Sequence, residues 1–124
     1  MAFFFLAIHK GSADVVVTVT PHKVLSDIEI VSRETGYSTS TLNRIIYCES
    51  RGNPKAKHLN HNGTTDYGLA QINEVHIPEA RALGFDITTR AGNLGLMAVL
   101  IKKNGLRDWS ASKSCWSYPQ DKIK

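Results

Sequence analysis

Two acidic residues carry the spacing most suggestive of chemistry. Glu49 follows Leu42 by seven residues, Ile45 by four and Ile46 by three, so a helical period places its carboxyl on the apolar stripe, near the end of the helix. Burial disfavours the charged form, so such a glutamate holds its proton closer to neutral pH, as a general acid must. The alternative is a solvent-facing Glu49 paired with Arg51 or Lys55. The second carboxylate, Asp66, lies beyond an Asn62-Gly63 turn in the polar run Thr64-Thr65-Asp66-Tyr67-Gly68, which leaves it hydrated as an anion. Two carboxyls in opposed environments suit cleavage of a glycosidic bond: one protonates the leaving oxygen, and the other stabilises or attacks the oxocarbenium centre.

These groups need elements to hold them. Thr20 as N-cap, Pro21 at the first position and Val24, Ile28 and Val31 at helical spacing predict a first helix, ended by Gly36. Ser38 to Ser40 offer the N-cap of a second, with Leu42, Ile45 and Ile46 on one face and Gly52-Asn53-Pro54 as its terminator. Residues 58–73 are rich in Asn, Thr and Gly, and Asn62-Gly63 predicts a tight hairpin turn between short strands. A brief helix is expected over 78–83. A longer one carries Leu94, Met97, Ala98 and Ile101 and is closed by Lys102-Lys103-Asn104-Gly105. The fold class is therefore α+β, mainly α, with one small hairpin.

The chain has 124 residues, 42% of them hydrophobic and 21% charged, with a net charge of +4. This is enough for one domain with its own core, and it excludes disordered and fibrous classes. The basic excess suits an anionic polymer. A nucleic-acid partner is not expected, because Lys and Arg are scattered and no basic-aromatic motif occurs. Cys48 and Cys115 form no C-x-x-C pattern, so no metal site is expected. They could close a long-range disulfide or remain two buried thiols. Residues 1–19 begin with an apolar run, Met1-Ala-Phe-Phe-Phe-Leu-Ala-Ile8, too short to span a bilayer. They read as a signal remnant cleaved near Gly11-Ser12-Ala13, or as a strand continuing into Val15-Val16-Val17-Thr18-Val19.

The segment Glu49-Ser-Arg-Gly-Asn53-Pro-Lys-Ala56, followed by Asn60 and Asn62-Gly63-Thr-Thr-Asp66-Tyr67-Gly68-Leu-Ala-Gln71-Ile72-Asn73, resembles the active-site helix and hairpin of the lysozyme-like superfamily. The 17-residue separation of the carboxylates matches c-type lysozymes without a gap. The Glu-Ser-Arg-x-Asn-Pro and Gly-Leu-x-Gln-Ile motifs also resemble lytic transglycosylases. Asn104-Gly105-Leu-Arg-Asp-Trp109 is similar to the lysozyme segment whose tryptophan packs on the catalytic glutamate. The likeness spans about residues 37–116, and the domain is expected over 20–124, after an N-terminal extension of 1–19.

The resemblance implies Glu49 as general acid and Asp66 as its anionic partner. It places Gln71 and Asn73 against the sugar, has Asn60 hold Asp66 or the substrate, and makes Trp109 the apolar wall beside Glu49. By analogy with the lysozyme bridge from this helix to the C-terminal region, Cys48 and Cys115 would pair. The chain departs from the pattern after Asn73: Glu74-Val75-His76-Ile77 stands where lysozymes carry sugar-stacking aromatics, with His76 as a weak substitute. The Tyr-Asn-Ala-Gly segment of many lytic transglycosylases is replaced by Trp109-Ser-Ala-Ser-Lys-Ser-Cys115-Trp116, similar to small bacterial and phage lysozyme-like domains.

The implied function is cleavage of the β-1,4 bond between N-acetylmuramic acid and N-acetylglucosamine in peptidoglycan. Water would complete it in a lysozyme, and the internal 6-hydroxyl in a lytic transglycosylase. A non-catalytic glycan-binding domain is the third reading, on a fold that can lose its chemistry. A monomer without cofactor or stable membrane insertion is expected, acting outside the cytoplasm by secretion, in the periplasm, or on a phage or secretion machine.

Overall fold

The computed structural model describes residues 4–10, 13–19 and 25–117. Strands β1 (Phe4–Lys10) and β2 (Ala13–Val19) pair antiparallel, from Phe4 opposite Val19 to Lys10 opposite Ala13. The β-branched run Val15 to Val19 thus adopts the extended form its composition favours. Helix α1 (Asp27–Thr35) starts later than the expected helix. Ser26 accepts from the Glu29 N–H, and the Glu29 carboxylate accepts from the Ser26 N–H. This reciprocal cap fixes the start; Thr20, Pro21 and Val24 lie outside the described residues. Gly36, at φ 81°, closes the helix.

Helix α2 (Thr39–Ser50) is capped by Ser38, whose hydroxyl accepts from the Thr41 N–H. It buries Leu42, Ile45 and Ile46. Its C-cap is Arg51, in the left-handed region at φ 56°, one residue ahead of the expected Gly52 stop. The Arg51 guanidinium lies 4.5 Å from the Tyr47 ring centroid, a contact that helps offset the cost of that backbone.

Three short strands follow, β3 (Lys57–Leu59), β4 (Thr65–Tyr67) and β5 (Ile72–Asn73), in the antiparallel order β3-β4-β5. The connection between β3 and β4 is five residues long. Within it Gly63 takes positive φ (85°) while Asn62 does not, so it is not the two-residue turn that Asn62-Gly63 suggested. A 3-10 turn (Glu74–His76) leads into α3 (Ile77–Ala82), with Pro78 in its first turn. Helix α4 (Arg90–Asn104) buries Asn93, Leu94, Leu96, Met97, Leu100 and Ile101 and forms the centre of the core. A 3-10 segment (Arg107–Ser112) and α5 (Lys113–Trp116) close the described chain. Ion pairs Arg90–Asp27 and Lys102–Glu34 join α4 to α1.

Asn93 ties the sheet to the core. It is 1% exposed. Its Oδ1 accepts from the Ala70 N–H at 2.9 Å, and its Nδ2 donates to the carbonyls of Tyr67 at 2.7 Å and Ile87 at 2.8 Å. The turn is drawn so close that a Cβ at Gly68, itself at φ 74°, would sit 2.6 Å from Asn93 Nδ2. Replacing Asn93 with Leu keeps the branched outline and strands three backbone groups, those of Ala70 and Ile87 in buried contacts. The expected loss is about 3 kcal/mol, read as a lower urea midpoint at constant m; a change below about 0.5 kcal/mol would mean that these groups find water instead.

Candidate active site

A cleft of about 250 Å³ opens between the end of α2, the three-stranded sheet and the 107–112 segment. Glu49 lines one wall. Asp66, Gln71, Ile72, Asn73 and His76 line the sheet side, and Leu100, Asp108, Trp109 and Ala111 complete it. A wider groove of about 430 Å³ runs between α1 and α4, but its lining is largely apolar, including Ile30, Val31, Phe85 and Leu94. The groups with acid-base chemistry converge in the smaller cleft.

Glu49 reaches the cleft because α2 ends at the next residue, Ser50, leaving its side chain at the helix end and half-buried. Its Oε1 accepts from the Ser112 hydroxyl at 2.5 Å. Burial pushes the carboxyl above the ordinary glutamate range; the Ser112 hydrogen bond pulls it down, and the charge of Asp66 pushes it up again. Among the described residues no ion pair joins Glu49 to Arg51 or Lys55, so the solvent-paired alternative is not what forms. Trp109 is 4% exposed, and its indole N–H donates to the Ala70 carbonyl at 2.8 Å. The ring therefore serves both the core and the cleft wall.

Asp66 sits on β4, opposite Asn73 on β5 and His58 on β3. Asn73 Nδ2 donates to Asp66 Oδ1 and to Thr64 Oγ1, both at 2.8 Å, while its Oδ1 accepts from the Val75 N–H at 3.1 Å. The Asn73 amide is thus engaged in holding Asp66 and starting the next turn. Asn60 is not in the cleft lining: its Nδ2 donates to Thr64 Oγ1 at 3.4 Å, and Thr64 connects to Asp66 through Asn73. Thr64 in turn donates to Asn62 Oδ1 at 2.6 Å. The turn residues therefore support Asp66 from behind.

Gln71 takes positive φ (51°). Its Nε2 donates to the carbonyls of Gly68 at 2.9 Å and Ala56 at 3.2 Å, leaving the amide oxygen as the group available to a ligand. His76 lines the cleft with Nδ1 3.6 Å from Glu79, which Lys103 also binds. Cys48, next to Glu49, is joined to Cys115 across 67 residues of sequence. The disulfide ties the end of α2 to α5 and so sets the 107–112 segment beside the glutamate. No cluster of His, Cys, Asp or Glu suited to a metal ion occurs among the described residues, and none of their helices is long and apolar enough to cross a membrane.

Ser112, Thr64 and Asp108 are the site residues that sequence reasoning missed. Ser112 carried one signal, its place one helical turn before Cys115 on the strand of chain that a Cys48 bridge would bring in. Compared with known families, residues 28–91 match the transglycosylase SLT domain. That span covers α1 from its second residue, α2, the three-stranded sheet, α3 and the first two residues of α4; it ends before Trp109, Ser112 and Cys115. A comparison with curated proteins gives no significant match.

Proposed function

The chain belongs to the transglycosylase SLT domain family, whose lysozyme-like members cleave peptidoglycan glycan strands, and we propose that this member does so by hydrolysis, as a muramidase, with Glu49 as acid and Asp66 as its anionic partner. Peptidoglycan as substrate places its action outside the cytoplasm. The observation that carries the reading is one cleft with two carboxyls in opposed settings: Glu49 driven toward its protonated form by burial, and Asp66 held by Asn73 on the facing sheet.

In this mechanism Glu49 gives its proton to the oxygen bridging N-acetylmuramic acid and N-acetylglucosamine. The bond from C1 to that oxygen breaks, and the leaving sugar departs as an alcohol. Positive charge gathers on C1 and the ring oxygen, beside Asp66. Water then adds to C1 and yields a proton to the Glu49 carboxylate, which restores the acid. Gln71, through its free amide oxygen, and the Trp109 wall orient the sugars.

The family's own name favours a second ending, in which the muramyl 6-hydroxyl takes the place of water and a 1,6-anhydro product forms. Asp66 supports hydrolysis, because a held anion lengthens the life of the charged centre until water arrives. Mass spectrometry of digested sacculi separates the two, since each hydrolytic product is heavier than its anhydro counterpart by one water. Muropeptides ending in reducing muramic acid are expected. A series made up of anhydro ends would replace hydrolysis with transglycosylation while keeping the acid.

A further inference from the structure

Ser112 occupies the N-cap position of α5, where a serine hydroxyl ordinarily accepts from a backbone N–H of the first turn. Here it makes no such bond. It turns away from its own helix to Glu49 Oε1 at 2.5 Å and lies 3.2 Å from the Trp109 carbonyl. A hydroxyl has one proton and two lone pairs, so it serves only one of these acceptors at a time.

We propose that Ser112 is the positioning residue of the acid: its hydroxyl holds Glu49 Oε1 and so leaves Oε2 to carry the acid proton toward the sugar. This rests on Glu49 being the acid. With Glu49 ionised, Ser112 donates to Oε1. With Glu49 protonated, the acid proton sits on Oε2 toward the sugar, and Ser112 donates to Oε1 as to a carbonyl oxygen, a weaker acceptor than the carboxylate. No proton leaves Ser112. Each charge state keeps a hydrogen bond in a half-buried site, and Oε2 is the oxygen left to face the sugar.

Three other titratable groups face Glu49 across the cleft: Asp66 from β4, His76 from the 74–76 turn and Asp108 from the 107–112 segment. Arg51, on the glutamate's own helix end, is stacked on Tyr47. Lys113 of α5 lines a different pocket, with Arg107 and Trp116. Ser112 is thus the hydrogen-bond donor to Glu49 among the described side chains, and its removal leaves the ionised form without one.

The test compares Ser112→Ala and Ser112→Thr with the wild type, by kinetics and by NMR titration of the Glu49 side-chain carboxyl carbon. In Ser112→Ala the titration midpoint and the alkaline limb of kcat/KM should move up together by about one pH unit, and kcat should fall about tenfold at unchanged KM. Ser112→Thr, which restores the hydroxyl, should return all three. A purely structural serine would lower thermal stability and the active fraction without moving the titration. An unmoved midpoint in folded Ser112→Ala overturns the proposal. The NMR midpoint reads this contact whether or not Glu49 is the acid, and activity surviving in Glu49→Gln would instead overturn the acid assignment.

Discussion

Glu49→Gln is expected to bring the clearing of purified cell-wall suspensions down to background, by a factor of about 10² or more, the usual contribution of a positioned general acid. Glutamine keeps the shape and can still accept from Ser112, but it has no acidic proton to give. Its effect on stability should run the other way. The folded state raises the Glu49 pKa, so above the ordinary glutamate value the native protein binds more protons than the unfolded chain. Stability contributed by this site is therefore present below that value and is lost as pH rises through the raised one. At pH 7 the variant should melt at or above the wild-type temperature, with the gap closing toward pH 4. Undiminished clearing by the folded variant would remove Glu49 from the mechanism. A large loss of stability would show that its carboxylate is structurally required.

Glu49 was legible in the sequence because a charge placed three, four and seven residues from apolar neighbours breaks a pattern set by helical geometry alone. Asp66 was legible because Asn62-Gly63 marks a reversal and so puts the following residues on a strand. The start of α1 was also written locally, as the Ser26/Glu29 cap, but Thr20 and Pro21 offered a competing start signal just upstream. What eluded sequence reasoning is contact across the fold. Asn93 lies 23 residues from the Ala70 N–H it binds, and a polar residue on an otherwise apolar helix does not reveal which backbone groups it serves. Ser112 lies 63 residues from Glu49, in a stretch of small polar residues that carries no periodicity. β5, two residues long, is too short to leave a pattern of its own and exists because Asn73 pairs with Asp66.

These long-range contacts make Glu49 sensitive to how the C-terminal segment is anchored. The sheet is clamped to α4 by Asn93 within the core, whereas the 107–112 segment reaches Glu49 under the tie of the Cys48–Cys115 disulfide. Such bonds persist in oxidising compartments, which agrees with action on peptidoglycan outside the cytoplasm.

Replacing both cysteines with alanine should consequently lower stability and activity together. Opening a loop of this length returns about 4 kcal/mol of chain entropy to the unfolded state, and for a domain of this size that corresponds to a melting temperature lower by roughly 15 °C or more. Titrating the wild-type protein with a reductant should reproduce the drop without any substitution. Activity assayed well below the new melting temperature tells the two consequences apart. If the disulfide only stabilises, kcat at low temperature matches the wild type. If it also holds Ser112 against Glu49, kcat falls there too and the alkaline limb shifts upward, as in Ser112→Ala. A melting temperature unchanged by reduction would show that Trp109 and Trp116, buried in the core with their indoles bonded to the carbonyls of Ala70 and Trp109, anchor the segment without the bridge.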